Sequence, residues 1–180
     1  MQKKVLLNAN QIDIIINRLV CQLIENHHDF SNTVLIGLQP RGIYLLEKLL
    51  NVLSEKHADK KITSGNLDYT FFRDDFRRKT GILTPHETNI DFNIENRDVV
   101  IIDDVLYTGR TIRSALDALG SFGRACSIEL LVLIDRRFSR EIPIESKYIG
   151  KSVDVFDTEY VLVNWEKNDK NKDSVILFNN

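Results

Sequence analysis

The 180-residue sequence predicts an α/β fold, a parallel sheet flanked by helices, on two observations. An apolar run, a short loop and a helical apolar pattern follow one another twice, over residues 33–53 and 99–119. The apolar runs fill successive positions instead of alternate ones, the pattern of strands covered on both faces.

Residues 8–28 place Ile12, Ile15, Ile16, Leu19, Leu23 and Ile24 at helical spacing. Asn8 followed by Gln11 supplies a capping box at the start of that helix. Thr33–Gly37 reads as a strand, Leu38–Gly42 as a loop, and Ile43, Leu46, Leu50 and Leu53 mark a second helix. Leu67–Phe72 reads as another strand. The charged stretch that follows continues to Asp91 without a clear period. At about 20 residues it exceeds the usual connector inside a compact domain, which favours a functional arm over a solvated hairpin. Val99–Ile102 begins the second strand-loop-helix unit, whose helix carries Ile112, Ala115, Leu116 and Leu119. Ile128–Ile134 is a further strand, and Val153–Phe156, Tyr160–Val163 and Ser174–Phe178 are shorter ones. No internal repeat interrupts the chain.

Length and a hydrophobic content of 43% suit one domain over residues 1–180. Twenty-four basic and 26 acidic residues leave a formal charge of -2, so any contact with nucleic acid has to come from a local patch. Cys21 and Cys126 lack metal-site or redox spacing and read as small apolar filling in a reducing cytosol. No apolar run approaches the roughly 18 residues that cross a bilayer, and the N-terminus carries no signal-peptide pattern. A cytoplasmic protein without membrane contact is expected.

The stretch VVIIDDVLYTGRT, residues 99–111, carries the chemistry. Ligands of open parallel sheets bind beyond the carboxyl ends of the strands, where Asp103 and Asp104 stand. The following loop can turn backbone N–H groups toward an anion, with Gly109 supplying conformational freedom and Thr111 opening a helix. A phosphate seat beside two hydroxyl-accepting carboxylates asks for a ribose 5-phosphate, with a magnesium ion supported through water. A magnesium strand of a nucleotide triphosphatase is disfavoured because no GxxxxGK[ST] occurs. A phosphoacceptor site lacks the further acids and lysine it needs, and acids merely solvating a strand end leave the threonines and glycine unexplained.

Ile101–Thr111 resembles the 5-phosphoribosyl 1-diphosphate (PRPP) motif of type I phosphoribosyltransferases. DDVLYTGRT in particular is similar to the PyrR family of pyrimidine operon regulators with uracil phosphoribosyltransferase activity. RGIYL at 41–45, FRDD at 72–75, DR at 135–136, REIPI at 140–144 and YIGK at 148–151 extend the likeness in the same order. The resemblance implies the type I phosphoribosyltransferase fold. In it a small hood is built from the N-terminal residues and about 135–180, and a flexible lid spans about 72–91. It implies transfer from PRPP to a nucleobase, with Mg2+ as cofactor held by Asp103 and Asp104 through water. Asp103, Asp104 and Arg73 are then the catalytic residues. Tyr107, Thr108, Gly109, Arg110 and Thr111 join the two aspartates at PRPP, and Pro40, Arg41 and Gly42 take its pyrophosphate. Asp135 and Arg136, in a loop after the Ile134 strand, read the base.

Tyr107 stands where enzymes acting on 6-oxopurines commonly carry an aspartate, so uracil is preferred to a purine. Gln39-Pro40 departs from the family's Lys-Thr and removes one cationic contact. The family's RNA-binding face maps to Arg18, Arg140 and Lys151, but Cys21 and Glu145 replace an expected histidine and arginine. One residue is also inserted within Arg137–Ser139. The expectation is a homodimer or higher homo-oligomer that keeps the transferase pocket and has weakened RNA regulation. The alternatives are an RNA-binding attenuator that uses the pocket as a nucleotide sensor, and a purine phosphoribosyltransferase.

Overall fold

The computed structural model describes residues 2–56, 61–74, 85–156, 158–169 and 172–179. In chain order its elements are β1 (Gln2–Leu7), α1 (Ala9–His27), β2 (Thr33–Leu38), α2 (Gly42–Lys56), β3 (Thr63–Leu67) and β4 (Asp98–Leu106). After them come α3 (Arg110–Leu119), β5 (Ser127–Arg137), β6 (Tyr148–Asp154), β7 (Glu159–Asn164), α4 (Glu166–Asp169) and β8 (Ser174–Asn179). Five strands in the order β3-β2-β4-β5-β6 make a wholly parallel sheet. A second, antiparallel sheet in the order β1-β8-β7 brings together the two ends of the chain.

Side chains of a strand alternate between faces, and β4 is apolar on both because both are covered. Val100 and Ile102 join Leu35, Leu131 and Leu133 under α1 and α2, in a core continued by Val163, Trp165 and Val175 beside the small sheet. Val99 and Ile101 join Val34, Ile36 and Val132 under Ile112, Ala115 and Leu119 of α3. α1 starts as its sequence requires. The Asn8 side chain accepts from the Gln11 N–H and the Gln11 side chain from the Asn8 N–H, both at 3.0 Å.

Several expectations are corrected. The strand expected at Leu67–Phe72 lies earlier, at Thr63–Leu67, and Thr70–Phe72 form a single 3-10 turn. β3 is an edge strand that buries only Gly65 and Leu67, so its sequence shows no apolar run. Asn89 exchanges backbone hydrogen bonds with Asn66 and covers that edge at one point. The segment around Val153 belongs to β6, an edge of the main sheet beside β5. Cys21 and Cys126 are exposed, not apolar filling. Leu116 also reaches the surface. Among the described residues no helix is long and apolar enough to cross a membrane.

Candidate active site

β2 and β4 are neighbours in the sheet, yet β2 continues into α2 on one face and β4 into α3 on the other. Their connecting loops therefore diverge at the carboxyl ends of the strands, the place where open parallel sheets bind ligands. Residues 39–42 form one wall and residues 107–110 the other.

Asp103 and Asp104 lie inside β4, which runs on to Leu106, and only 8% and 7% of their surface is exposed. Strand alternation gives Asp103 the face of Ile101 and Asp104 the face of Ile102. An Asp103 carboxylate oxygen accepts from the Asp104 N–H at 2.9 Å. Arg41 Nε donates to Asp104 Oδ2 at 3.0 Å, so the cation expected at pyrophosphate meets the carboxylate expected at ribose. Burial, reinforced by the neighbouring Asp104, holds the Asp103 carboxyl well above the usual carboxylate range. Burial also raises Asp104, against the opposing pull of Arg41.

The opposite wall is set by Gly109, whose φ of +90° favours a residue without Cβ and which caps α3. Thr108 accepts through its carbonyl from the Glu141 and Ile142 N–H groups, at 3.0 and 3.1 Å. Arg110 pairs with Glu141 at 2.6 Å and with Asp74. Arg73, Asp74, Arg110, Thr111 and Ser114 line one depression, so the start of the charged stretch is brought to the start of α3. The segment 75–84, which holds half of the expected lid with Arg77, Arg78 and Lys79, lies outside the described residues.

Pro40 follows a cis peptide bond beside Arg41. Gly42, the third residue expected at pyrophosphate, opens α2. It is buried against β4, where a Cβ would overlap the Ile102 carbonyl and lie 3.0 Å from the Asp103 Cα. Asp135 and Arg136 are corrected from loop to strand, since β5 extends to Arg137. Asp135 pairs in register with Leu106, which sets it beside the Tyr107–Thr111 loop. Its carboxylate is bound by Arg140. The buried Arg136 guanidinium stacks 3.7 Å from the centre of the Tyr107 ring and donates to the Glu159 carbonyl.

Two residues escaped the sequence reading. The Tyr69 hydroxyl hydrogen-bonds the Thr111 side chain, and burial, with Asp103 adding, pushes its pKa up to about 12. Asp68 accepts from the Thr70 N–H at 2.6 Å and from the His86 N–H, while its own N–H donates to Thr88 Oγ1 at 3.0 Å. It thereby ties both ends of the charged stretch together. The aspartate before a tyrosine in an unremarkable strand end gives no local sequence signal for either role.

The cations expected on an RNA face make the following contacts within the chain. Arg18 donates to the Ile149 and Gly150 carbonyls at 3.1 and 2.6 Å, and Lys151 to the Leu6 carbonyl at 3.3 Å. Arg140 lies instead at the carboxyl end of the sheet.

A family model described as "Phosphoribosyl transferase domain" matches residues 3–166. The chain belongs to the phosphoribosyltransferase family. Within that family it falls with the PyrR proteins. The "Bifunctional protein PyrR" of Bacillus subtilis (strain 168) is 38% identical over 181 residues, covering 99% of this chain and 98% of that protein. The protein of the same name from Actinobacillus pleuropneumoniae serotype 5b is 42% identical, covering 89% of each. Among solved structures, a hypoxanthine phosphoribosyltransferase from Staphylococcus aureus superposes with a TM-score of 0.69 at 24% identity, over 96% of this chain and 90% of that one. That likeness concerns the fold, and it confirms the type I phosphoribosyltransferase architecture.

Proposed function

We propose that this phosphoribosyltransferase joins uracil to the phosphoribosyl group of PRPP, giving UMP and pyrophosphate. The observation that carries the reading is the pair of buried carboxylates of β4 set directly before a glycine-capped loop at a helix N-terminus. In this reading the Tyr107–Thr111 loop and the start of α3 bind the 5′-phosphate. Asp103 and Asp104 accept from the ribose hydroxyls and stabilise the positive charge that builds on the ring as the anomeric bond to pyrophosphate breaks. Arg41, on leaving Asp104, and Arg73 neutralise the departing pyrophosphate. A ring nitrogen of uracil, oriented by Asp135, Arg136 and Tyr107, attacks the anomeric carbon and releases its proton to the departing pyrophosphate or to solvent.

Asp103 and Asp104, two adjacent carboxylates, would hold Mg2+ through water. When bound, that ion supplies charge neutralisation at the diphosphate.

Tyr107 and the PyrR relatives support uracil over a purine. Incubation with Mg2+, PRPP and uracil, hypoxanthine, guanine or xanthine in turn is expected to yield nucleotide with uracil. Turnover of purines alone overturns the base assignment, and no turnover with any base overturns the transferase reading.

A second activity, RNA regulation of a pyrimidine operon, is supported by the bifunctional character named for the relatives. Against it weigh Glu145, which repels phosphate, Cys21, and the four internal carbonyls to which Arg140 donates. We therefore hold the transferase as the principal activity and RNA control as weakened. In a salt-titrated gel shift with a pyrimidine-operon leader, binding is expected to be weak and indifferent to sequence. Tight, sequence-selective binding contradicts that expectation.

A further inference from the structure

We infer that Arg140 is a positioning residue for phosphoribosyl transfer, one that aims the backbone N–H groups of the phosphate loop by holding their carbonyl partners from behind. The inference rests on the transferase reading above and deepens it.

Arg140 donates from Nη1 to the Leu106 and Tyr107 carbonyls, the first at 3.4 Å, and to the Arg136 carbonyl at 3.1 Å. Its Nε donates to the Ile144 carbonyl at 3.1 Å, and Nη2 binds the Asp135 carboxylate. The side chain is 24% exposed. One planar guanidinium thus joins the phosphate loop, the end of β5 and the 140–144 segment. A lysine cannot reproduce this arrangement, because its ammonium is a point charge with three donors and no fork. Among the described residues these contacts engage four of its five N–H groups.

The peptide plane turns these contacts into a device. In a trans peptide the carbonyl of one residue and the N–H of the next point in opposite directions. Holding the Leu106 and Tyr107 carbonyls toward Arg140 therefore aims the Tyr107 and Thr108 N–H groups away from it. The Thr108 carbonyl is held in the same way by the Glu141 and Ile142 N–H groups, which aims the Gly109 N–H. Three successive donors are fixed before any anion arrives, so binding does not have to order them. Nothing comparable ties Arg140 to residues 39–42, the wall assigned to pyrophosphate.

The test separates the two walls. Arg140→Lys and Arg140→Gln are compared with the unaltered protein by titration with ribose 5-phosphate and, separately, with pyrophosphate, on samples whose folding is checked by thermal melting. Ribose 5-phosphate affinity is expected to fall about tenfold or more, with pyrophosphate affinity changed less than twofold and the KM for PRPP raised. Unchanged affinity for ribose 5-phosphate overturns the inference, as does a parallel loss of both ligands, which marks a purely structural residue. Amide NMR of the unaltered protein needs no variant. The Tyr107, Thr108 and Gly109 N–H resonances are expected to shift when ribose 5-phosphate is added, and unmoved resonances count against the device. Shifts in a protein that turns over no base leave Arg140 its role and strike the transferase reading instead.

Discussion

Asp103→Asn is expected to melt several degrees higher than the natural protein at neutral pH and to turn over PRPP about 10²–10³-fold more slowly. The two effects share one cause. Asp103 is buried, with Asp104 beside it, and both facts favour the uncharged carboxyl. A carboxyl whose pKa is raised by folding leaves stability intact below its unfolded pKa of about 3.9, and that stability is lost as pH rises through the folded value. The asparagine carries no such cost and can still accept from the Asp104 N–H through its side-chain oxygen. Each kcal/mol regained is worth about 2–4 °C in a chain of this size. Melting curves across pH 4–8 check the sign: the gap between variant and natural protein widens with pH above about 4. A variant that melts lower at pH 7 contradicts the assignment. In the proposed reaction Asp103 acts as a negative carboxylate facing an electron-poor ribose, and that role is what the cost of burying it is set against.

Gly42→Ala is expected to destabilise the fold by about 1–3 kcal/mol and to cut turnover at least tenfold. Helix propensity alone predicts the opposite sign, since alanine is the better helix former by about 1 kcal/mol. Packing overrides propensity here. The added Cβ meets the Ile102 carbonyl and the Asp103 Cα, which are backbone atoms that cannot swing aside like a flexible side chain. α2 has to retreat from β4, or β4 has to bend at the position of the carboxylates. Chemical denaturation and steady-state kinetics measure the two parts, and an unchanged kcat with PRPP shows that the strand holds its place.

The main sheet was legible because its central strands are covered on both faces, so β2, β4 and β5 announce themselves as unbroken apolar runs. The edge strand β3 has one covered side and little apolar content, and its place was misread by several residues. The capping box of α1 was legible because its two partners are three residues apart and the contact is local. Asp103, Asp104 and Gly109 were equally readable, since the chemistry they suggest is contained in one short stretch. Long-range pairings were not. Arg41 meeting Asp104, Tyr69 meeting Thr111 and Arg140 reaching four backbone carbonyls depend on which strands lie side by side, and local spacing does not encode that. The same limit explains why Asp135 and Arg136 were placed in a loop: a charged pair ending an apolar run looks like a turn until β6 is known to pair beside it.

Asp68 receives N–H bonds from Thr70 on one side and from His86 on the other. A single carboxylate thus fixes where the chain departs from the sheet and where it returns. Closing a loop costs free energy only in proportion to the logarithm of its length, about 0.6 kcal/mol per doubling. With the two endpoints already joined, residues between them can be exchanged, lengthened or shortened over evolutionary time at small thermodynamic expense. The strand that carries the carboxylates keeps its register whatever the length of the segment between the two joined points.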